Sequence, residues 1–465
     1  MRPKSLIHLM RGLFLACGMG SVAVAADTPK PATPFTVTAP ADVSEDSQLT
    51  ENAPDKDKSK KTKDDKNDSG KGEKAEPEAW HFEGLALKKG QNRIEPAGYA
   101  QVDLRHFDWH VKGDDGDKKR SPESELRRLR FAVEGQFGKV SFELAVDPRD
   151  SQRGENFKDT TLGYSFSKKL SLLVGHFKPP ISQELLTSAG KTDFVERAIL
   201  AQLAPDRDWG AAVSGEVGRI HYAIGGFAGD GDANAQSADS SFATRITGRV
   251  VKGLLVSGSY MWADVKHDVR VGNTEPAPKG TSGKAISGFT FWNRAHVNGN
   301  RERVGADMSY SRGPLRIRGE FLQEQEERKG EGSTGLDIPD VRGRGWAVGA
   351  SYVLTGEKKG STVEPAKSVF HGGKGALEIV ARLEGAKFDD TGDGSGPAGY
   401  GNRARNIAPS GARAIEAGAN YWLSNFMKFQ GSALWESYND PLIAPVPGKT
   451  GRYFSLLGRI QLMVP

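Results

Sequence analysis

The chain has 465 residues, 57 glycines, a formal net charge of +5 and a mean hydropathy of −0.52. Beyond residue 26 it has no apolar run of about 18 residues, so helical membrane spans are excluded. The small net charge points to no nucleic-acid partner, and the only cysteine, Cys17, lies so early that the rest of the chain needs no disulfide chemistry.

Residues 1–26 read as a secretion signal. Basic Arg2, Lys4 and Arg11 precede an apolar core from Leu13 to Val22 and the small run Ala23-Val24-Ala25-Ala26. Residues 27–78 read as a disordered charged linker. Between 54 and 78, eight lysines face eight acidic residues with no hydrophobe beyond Ala75, too little apolar surface to offset chain entropy.

From residue 79 to 465 the pattern changes to short alternating runs, the expected barrel domain. Ala100, Val102 and Leu104 share one face with Gln101, Asp103 and Arg105 on the other. In 126–137, Leu129, Phe131 and Val133 oppose Arg128, Arg130 and Glu134; after a Gly138-Lys139 turn, 139–147 alternates again. Further strands are expected near 160–167, 169–177, 210–217, 220–228, 242–250, 253–264, 302–311, 314–324, 344–355, 375–385, 413–423, 426–437 and 452–464. With the first three this makes about sixteen, an even number that suits a single-chain outer-membrane barrel.

Tight links at 138–139, 167–168, 218–219, 252–253, 312–314 and near Asn425 alternate with long polar stretches at 265–301, 325–343 and 386–412. That asymmetry matches short periplasmic turns and longer external loops. Trp109, Tyr310, Trp346, Tyr352, Trp422, Trp435 and Tyr453 are expected to form the interfacial aromatic belts. The competing reading is a soluble all-β protein whose strand arginines form a solvated face. The fold expected is all-β: a 16-stranded antiparallel transmembrane β-barrel.

The strand 170–175 ends at Pro179-Pro180 and leads into a polar segment closing with Phe194-Val195-Glu196-Arg197. It is too long for a hairpin turn and is expected to fold into the barrel and set the width and charge of a pore. Alternation puts Arg128 and Arg130 on the lumen face, and Arg127 only where a bulge or strand end turns it. Lys178 either faces the pore or packs its stem under Phe177, and Glu196 and Arg197 are expected to anchor the loop through charge-assisted hydrogen bonds. The alternative for Arg127, Arg128 and Arg130 is neutralisation by Glu134, Glu143 and Asp147 on neighbouring strands.

The order of several stretches resembles the phosphate-selective porin O/P family. Arg127-Arg128-Leu129-Arg130 with Gly135 is similar to its second-strand motif. Val174-Gly175-His176-Phe177-Lys178-Pro179, Glu184-Leu185-Leu186-Thr187-Ser188 and Phe194-Val195-Glu196-Arg197 resemble its fifth strand and inward-folded third external loop. Ala350-Ser351-Tyr352-Val353-Leu354-Thr355-Gly356-Glu357 and Gly418-Ala419-Asn420-Tyr421-Trp422 resemble two later strands.

The resemblance implies a homotrimeric porin in the outer membrane of a Gram-negative-type bacterium, in contact with outer-membrane lipid and lipopolysaccharide. It further implies passage of small anions such as phosphate through a constriction lined by Arg127 and Arg128 with a loop lysine opposite, for which Lys191 is the candidate. Two departures stand out. The mid-chain arginine ladder is thin, with Lys266 and Arg270 beside Asp264 and Asp268, and the chain ends in Pro465 rather than an aromatic residue.

The expectation is therefore a non-enzymatic anion porin without cofactor or metal. The alternatives are a weakly selective general diffusion porin of the same fold and an outer-membrane lipid hydrolase built on His106, His176 and Ser141. Gly190-Lys191-Thr192 and Gly448-Lys449-Thr450 lack the upstream glycine of a phosphate-binding loop. Asp389-Asp390-Thr391-Gly392-Asp393-Gly394 lacks the later bidentate glutamate of a calcium loop.

Overall fold

A computed structural model describes residues 80–108, 123–149, 156–229, 239–266, 278–332, 335–394, 397–446 and 452–464. The leader at 1–26, the linker at 27–78, Trp109, His267 to Arg270, the 448–450 motif and Pro465 lie outside these residues.

A small hairpin, β1 (His81–Glu83) and β2 (Ala86–Lys89), leads into β3 (Asn92–Phe107), β4 (Glu123–Phe137), β5 (Val140–Val146), β6 (Phe157–Ser167) and β7 (Leu170–Phe177). These are followed by β8 (Asp208–Val217), β9 (Ile220–Phe227), β10 (Ser240–Val251) and β11 (Leu254–Val265). A second small hairpin, β12 (Gly283–Lys284) and β13 (Thr290–Trp292), precedes β14 (Gly299–Arg312), β15 (Leu315–Arg328) and β16 (Ile338–Val353). The chain continues with β17 (Ala376–Asp390), β18 (Ser410–Trp422), β19 (Met427–Tyr438) and β20 (Tyr453–Met463). Leaving out the two small hairpins, sixteen antiparallel strands close on themselves. Closure is made by β20 against β3, from Ser455↔Phe107 to Met463↔Tyr99. No open edge remains, as a sheet in lipid requires.

The period-two pattern is inverted relative to a soluble core. On β17, Glu378, Arg382 and Glu384 are buried inside the barrel while Leu377, Ile379 and Leu383 point out and are exposed. Such a strand is stable only with lipid outside and polar partners inside. At the tight turns, Gly138 (φ 57°) and Gly218 (φ 61°) supply the left-handed residue that a short hairpin link needs.

Strand length divides the wall. β5, β7 and β9 have 7, 8 and 8 residues, whereas β14 to β17 have 14 to 16. The stretches 325–343 and 386–412, expected as loops, are partly strand, since β15 reaches Arg328, β16 starts at Ile338 and β17 runs to Asp390. Above the lipid the outer face need not be apolar, so alternation fades although the ladder continues.

Two connections also depart from expectation. Within 266–298 the β12–β13 hairpin enters the external mouth, where Phe291 (fully buried) and Trp292 pack on Phe388. The connection 354–375 lies at the tight-turn end yet is long, and it sends the fully buried Lys359 into the lumen. Trp346, Tyr352 and Trp435 face outward as belt residues should, whereas Trp422 and Tyr453 point inward and are buried. Trp422 packs beneath the amines of Lys428 and Lys359, a cation–π arrangement that alternation alone does not announce.

Candidate functional site: the constriction loop and its arginines

The segment 178–207 crosses the lumen. Pro179 and Pro180 end β7, because proline donates nothing to a ladder. A one-turn helix Gln183–Leu186 follows, capped by Ser182, whose Oγ accepts from Leu185 N at 3.2 Å. Two 3₁₀ turns, Ala189–Lys191 and Ile199–Leu203, complete the loop.

Loop backbone needs partners once buried, and wall side chains supply them. Gln101 Nε2 donates to Ala189 O (3.0 Å), Gln461 Nε2 to Gly190 O (2.7 Å) and Lys428 Nζ to Thr192 O (2.9 Å). Asn420 Nδ2 donates to Asp193 O (2.9 Å) and Arg303 Nε to Leu203 O (2.8 Å), while Glu384 accepts from Ile199 N (2.6 Å). These bonds explain why so many amides and charged groups are buried inside the barrel.

Two carboxylates fasten the loop further. Asp193 pairs with Arg316 and, at 2.8 Å, with Lys359, which also reaches Glu378 at 2.6 Å. Burial pushes the Asp193 carboxyl up, but the charges of Arg316, Lys359 and Arg318 hold it well below the usual carboxylate range. Glu196 meets Arg105 at 2.6 Å, Arg127 at 2.8 Å, Arg459 at 3.8 Å and Arg128 at 3.9 Å. Burial opposes ionisation of Glu196 too, and Arg127, Arg128 and Arg105 overcome it, so its carboxyl lies far below the ordinary value.

Arg127 reaches this cluster because the β3–β4 register shifts: Gln101 opposes Arg128 and Val102 opposes Leu126, leaving Arg127 as the extra residue of a bulge. Asp103 completes the cluster with a two-pronged pair to Arg459 (2.6 and 2.8 Å). Glu134, Glu143 and Asp147 make no ion pair with Arg127 or Arg128.

The other cations singled out in the sequence lie on the adjoining flank, between the loop and β3 to β6. Arg130 stands 5.5 Å from the Tyr99 ring centre, and its buried Nε has no hydrogen-bond partner. Among the described residues Arg197 donates only to carbonyls within the loop, Glu184 O and, at 2.5 Å, Thr187 O. Its bonds shape the loop rather than tie it to the wall. Lys178 donates to Leu185 O. Burial, reinforced by Arg197 and Arg207, pushes the Lys178 amine well below its ordinary value.

Among the described residues none of Arg130, Arg197 or Lys178 has a carboxylate at ion-pairing distance. Their neighbour Arg207, by contrast, forks onto Asp159 at 2.6 and 3.1 Å. Lys191 is half-buried in the first 3₁₀ turn, near enough to Glu134 for their charges to interact.

On its opposite flank the loop faces β15 to β17 across a small recess. It is lined by Arg316, Arg318 and Arg382 and by Glu184, Asp193 and Glu320. Sequence reasoning missed this balanced recess and the reach of Lys359; the alternating Arg316 and Arg318 were the visible signal for the first.

The parts of a lipid hydrolase are not assembled. Ser141 lies on the inner face opposite Gly163, while His176 turns outward against Trp209 with ring centres 5.4 Å apart. Asp389 is engaged by Arg342 at 3.1 Å, Arg344 at 2.8 Å and Lys387 at 3.1 Å rather than poised for calcium.

A family model described as phosphate-selective porin O and P matches residues 98–447. No curated protein matches the sequence. Among solved structures, a loop L8 deletion mutant of OmpT, an outer membrane protein of Vibrio cholerae, aligns with TM-score 0.51 and 10% identity over 80% of this chain and 99% of that one. Salmonella typhi OmpF in complex with daunomycin gives 0.50 and 12% over 80% and 98%. The outer membrane channel DcaP of Acinetobacter baumannii gives 0.50 and 10% over 80% and 97%. At these identities the likeness speaks for the barrel fold.

Proposed function

We propose that this chain, which belongs to the phosphate-selective porin O and P family, is an outer-membrane porin that passes small anions in preference to cations. Family and fold are those of a channel, and its place is the outer membrane. The observation that carries the anion preference is the flank where Arg130, Lys178 and Arg197 face the lumen without a carboxylate partner among the described residues. A low-dielectric wall lets a small cation surplus bias which solute enters. Phosphate or a related oxyanion fits the planar fork of Arg130, with the Arg197 charge close by and Arg127 and Arg128 held by Glu196.

Single-channel recording in planar bilayers tests this. A reversal potential on the anion side in a salt gradient, with phosphate blocking the chloride current and Arg130→Gln weakening the block, supports the reading. A potential near zero without block favours the second reading, a weakly selective diffusion porin. That reading draws on Glu196 inside the arginine cluster and on the balanced recess at β15 to β17.

We also infer a homotrimer. A 7-residue strand tilted about 45° spans roughly 16 Å, less than the roughly 25 Å apolar band of such barrels, so the β5 to β9 wall needs cover that lipid alone does not give. Crosslinking in mild detergent that yields only monomers sinks this inference.

A further inference from the structure

The outer face of β16 to β18 changes character at one level. Val348, Leu383 and Ile415 point into lipid, each about half exposed, and Trp346 follows at the position of an interfacial belt residue. One strand step further toward the long-loop end, the outward positions turn basic. Arg344 stands directly opposite Lys387, and Arg342 opposite Asp389. Arg413 lies on the next strand across from Gly385, where its stem and the Trp346 indole lie over the bare glycine.

The inward positions between them, Val341, Gly343 and Gly345, pack against or beneath Leu203 and Phe388, so the alternation leaves Arg342 and Arg344 on the outside of the wall. Like charges directly opposite on neighbouring strands repel unless an anion sits between them. Among the described residues Asp389 is the only carboxylate that Arg342, Arg344 and Lys387 meet, and it is shared among all three. The neighbouring outer wall differs, presenting Glu302, Gln323, Gln325 and Glu327 at the same height.

We propose that Arg342, Arg344, Lys387 and Arg413 form a surface site for the phosphate groups of the outer-leaflet glycolipid. Alternate outward positions lie about 7 Å apart along a strand and neighbouring strands about 4.8 Å apart, so the four cations span the footprint of a phosphorylated sugar headgroup. Trp346 beneath them sits where acyl chains meet headgroups. Arginine forks take phosphate oxygens in pairs, and lysine adds a mobile point charge. The inference rests on the outer-membrane placement and not on the ion preference of the lumen.

The test uses the full chain in detergent micelles, with bis-phosphorylated lipid A and its dephosphorylated form as probes and binding read by native mass spectrometry. The phosphorylated lipid should bind at least fivefold more tightly than the dephosphorylated one. R342Q/R344Q/K387Q should lose that difference while keeping its single-channel conductance. R219Q/R249Q/K252Q, which removes three exposed charges at the tight-turn end, should keep it. Equal binding of the two lipids, or undiminished binding by the first triple variant, overturns the proposal. An altered conductance with lipid binding intact overturns it as well, because the cluster would then belong to the pore.

Discussion

Two groups of cations stand side by side where the constriction loop meets the wall, and what surrounds each sets them apart. Arg105, Arg127, Arg128 and Arg459 gather around the loop carboxylate Glu196, with Asp103 beneath. Arg130, Lys178 and Arg197 meet an aromatic ring and carbonyl oxygens. The first group is tied together by a carboxylate; the second has no carboxylate at ion-pairing distance among the described residues. Counting arginines on a strand therefore says little about a pore until the partner brought by the loop is known.

The sharpest way to break the contrast is Glu196→Gln. Removing one partner of a largely buried cluster costs about 4 kcal/mol, seen as a lower unfolding temperature in detergent. The arginines it released should raise the anion-to-cation permeability ratio severalfold. A ratio equal to wild type would mean that this cluster never faces the permeating ion.

The contrast also needs the loop to stay in place, and Lys359 contributes from the periplasmic side. Lys359→Met leaves Glu378 without its amine and Asp193 with Arg316 alone, costing about 3 kcal/mol. Open-channel current noise should rise with it. Quiet wild-type currents together with unchanged stability would remove Lys359 from the account.

Arg130→Gln acts on the second group. It should lower the anion-to-cation ratio about twofold while the unfolding temperature stays within a degree or two, since no ion pair is lost. A loss of stability comparable to that of Glu196→Gln would show that Arg130 is a fastening too.

The smallest expected effect is a pH dependence. The depressed Glu196 carboxyl contributes stability above the ordinary carboxylate pKa of about 4.3, and that stability is lost only as pH falls through its lower folded value. The loop should therefore stay fastened from pH 8 to pH 5. Lys178 behaves in the opposite sense. Its amine gives up its proton below the ordinary lysine value of about 10.4, so anion preference should decline as pH rises toward that value, and Lys178→Gln should abolish the decline. A decline that persists in Lys178→Gln assigns the titration elsewhere.

The wall of this barrel could be read from the chain because its physics is local. Period-two alternation, a glycine at four of the tight turns and prolines closing the strand before the loop placed nearly every strand and put Arg128 and Arg130 inside. Even Arg127 came with its condition, a bulge, and β4 has one. The strands that rise above the lipid were cut short in that reading, since 338–343 and 386–390 keep their ladder but lose the apolar face that marks a strand in sequence.

What the sequence determined by itself was thus the barrel, its inward and outward faces and the loop that enters it. The tertiary structure alone decided the pairing: Glu196 with four arginines from three strands, Asp193 with Arg316 and Lys359, and four outward cations on three adjacent strands. The reason is physical. Alternation is a property of neighbours along a chain, whereas the charge a permeating ion meets depends on groups from 69 to 166 residues apart and more, brought together by closing the sheet.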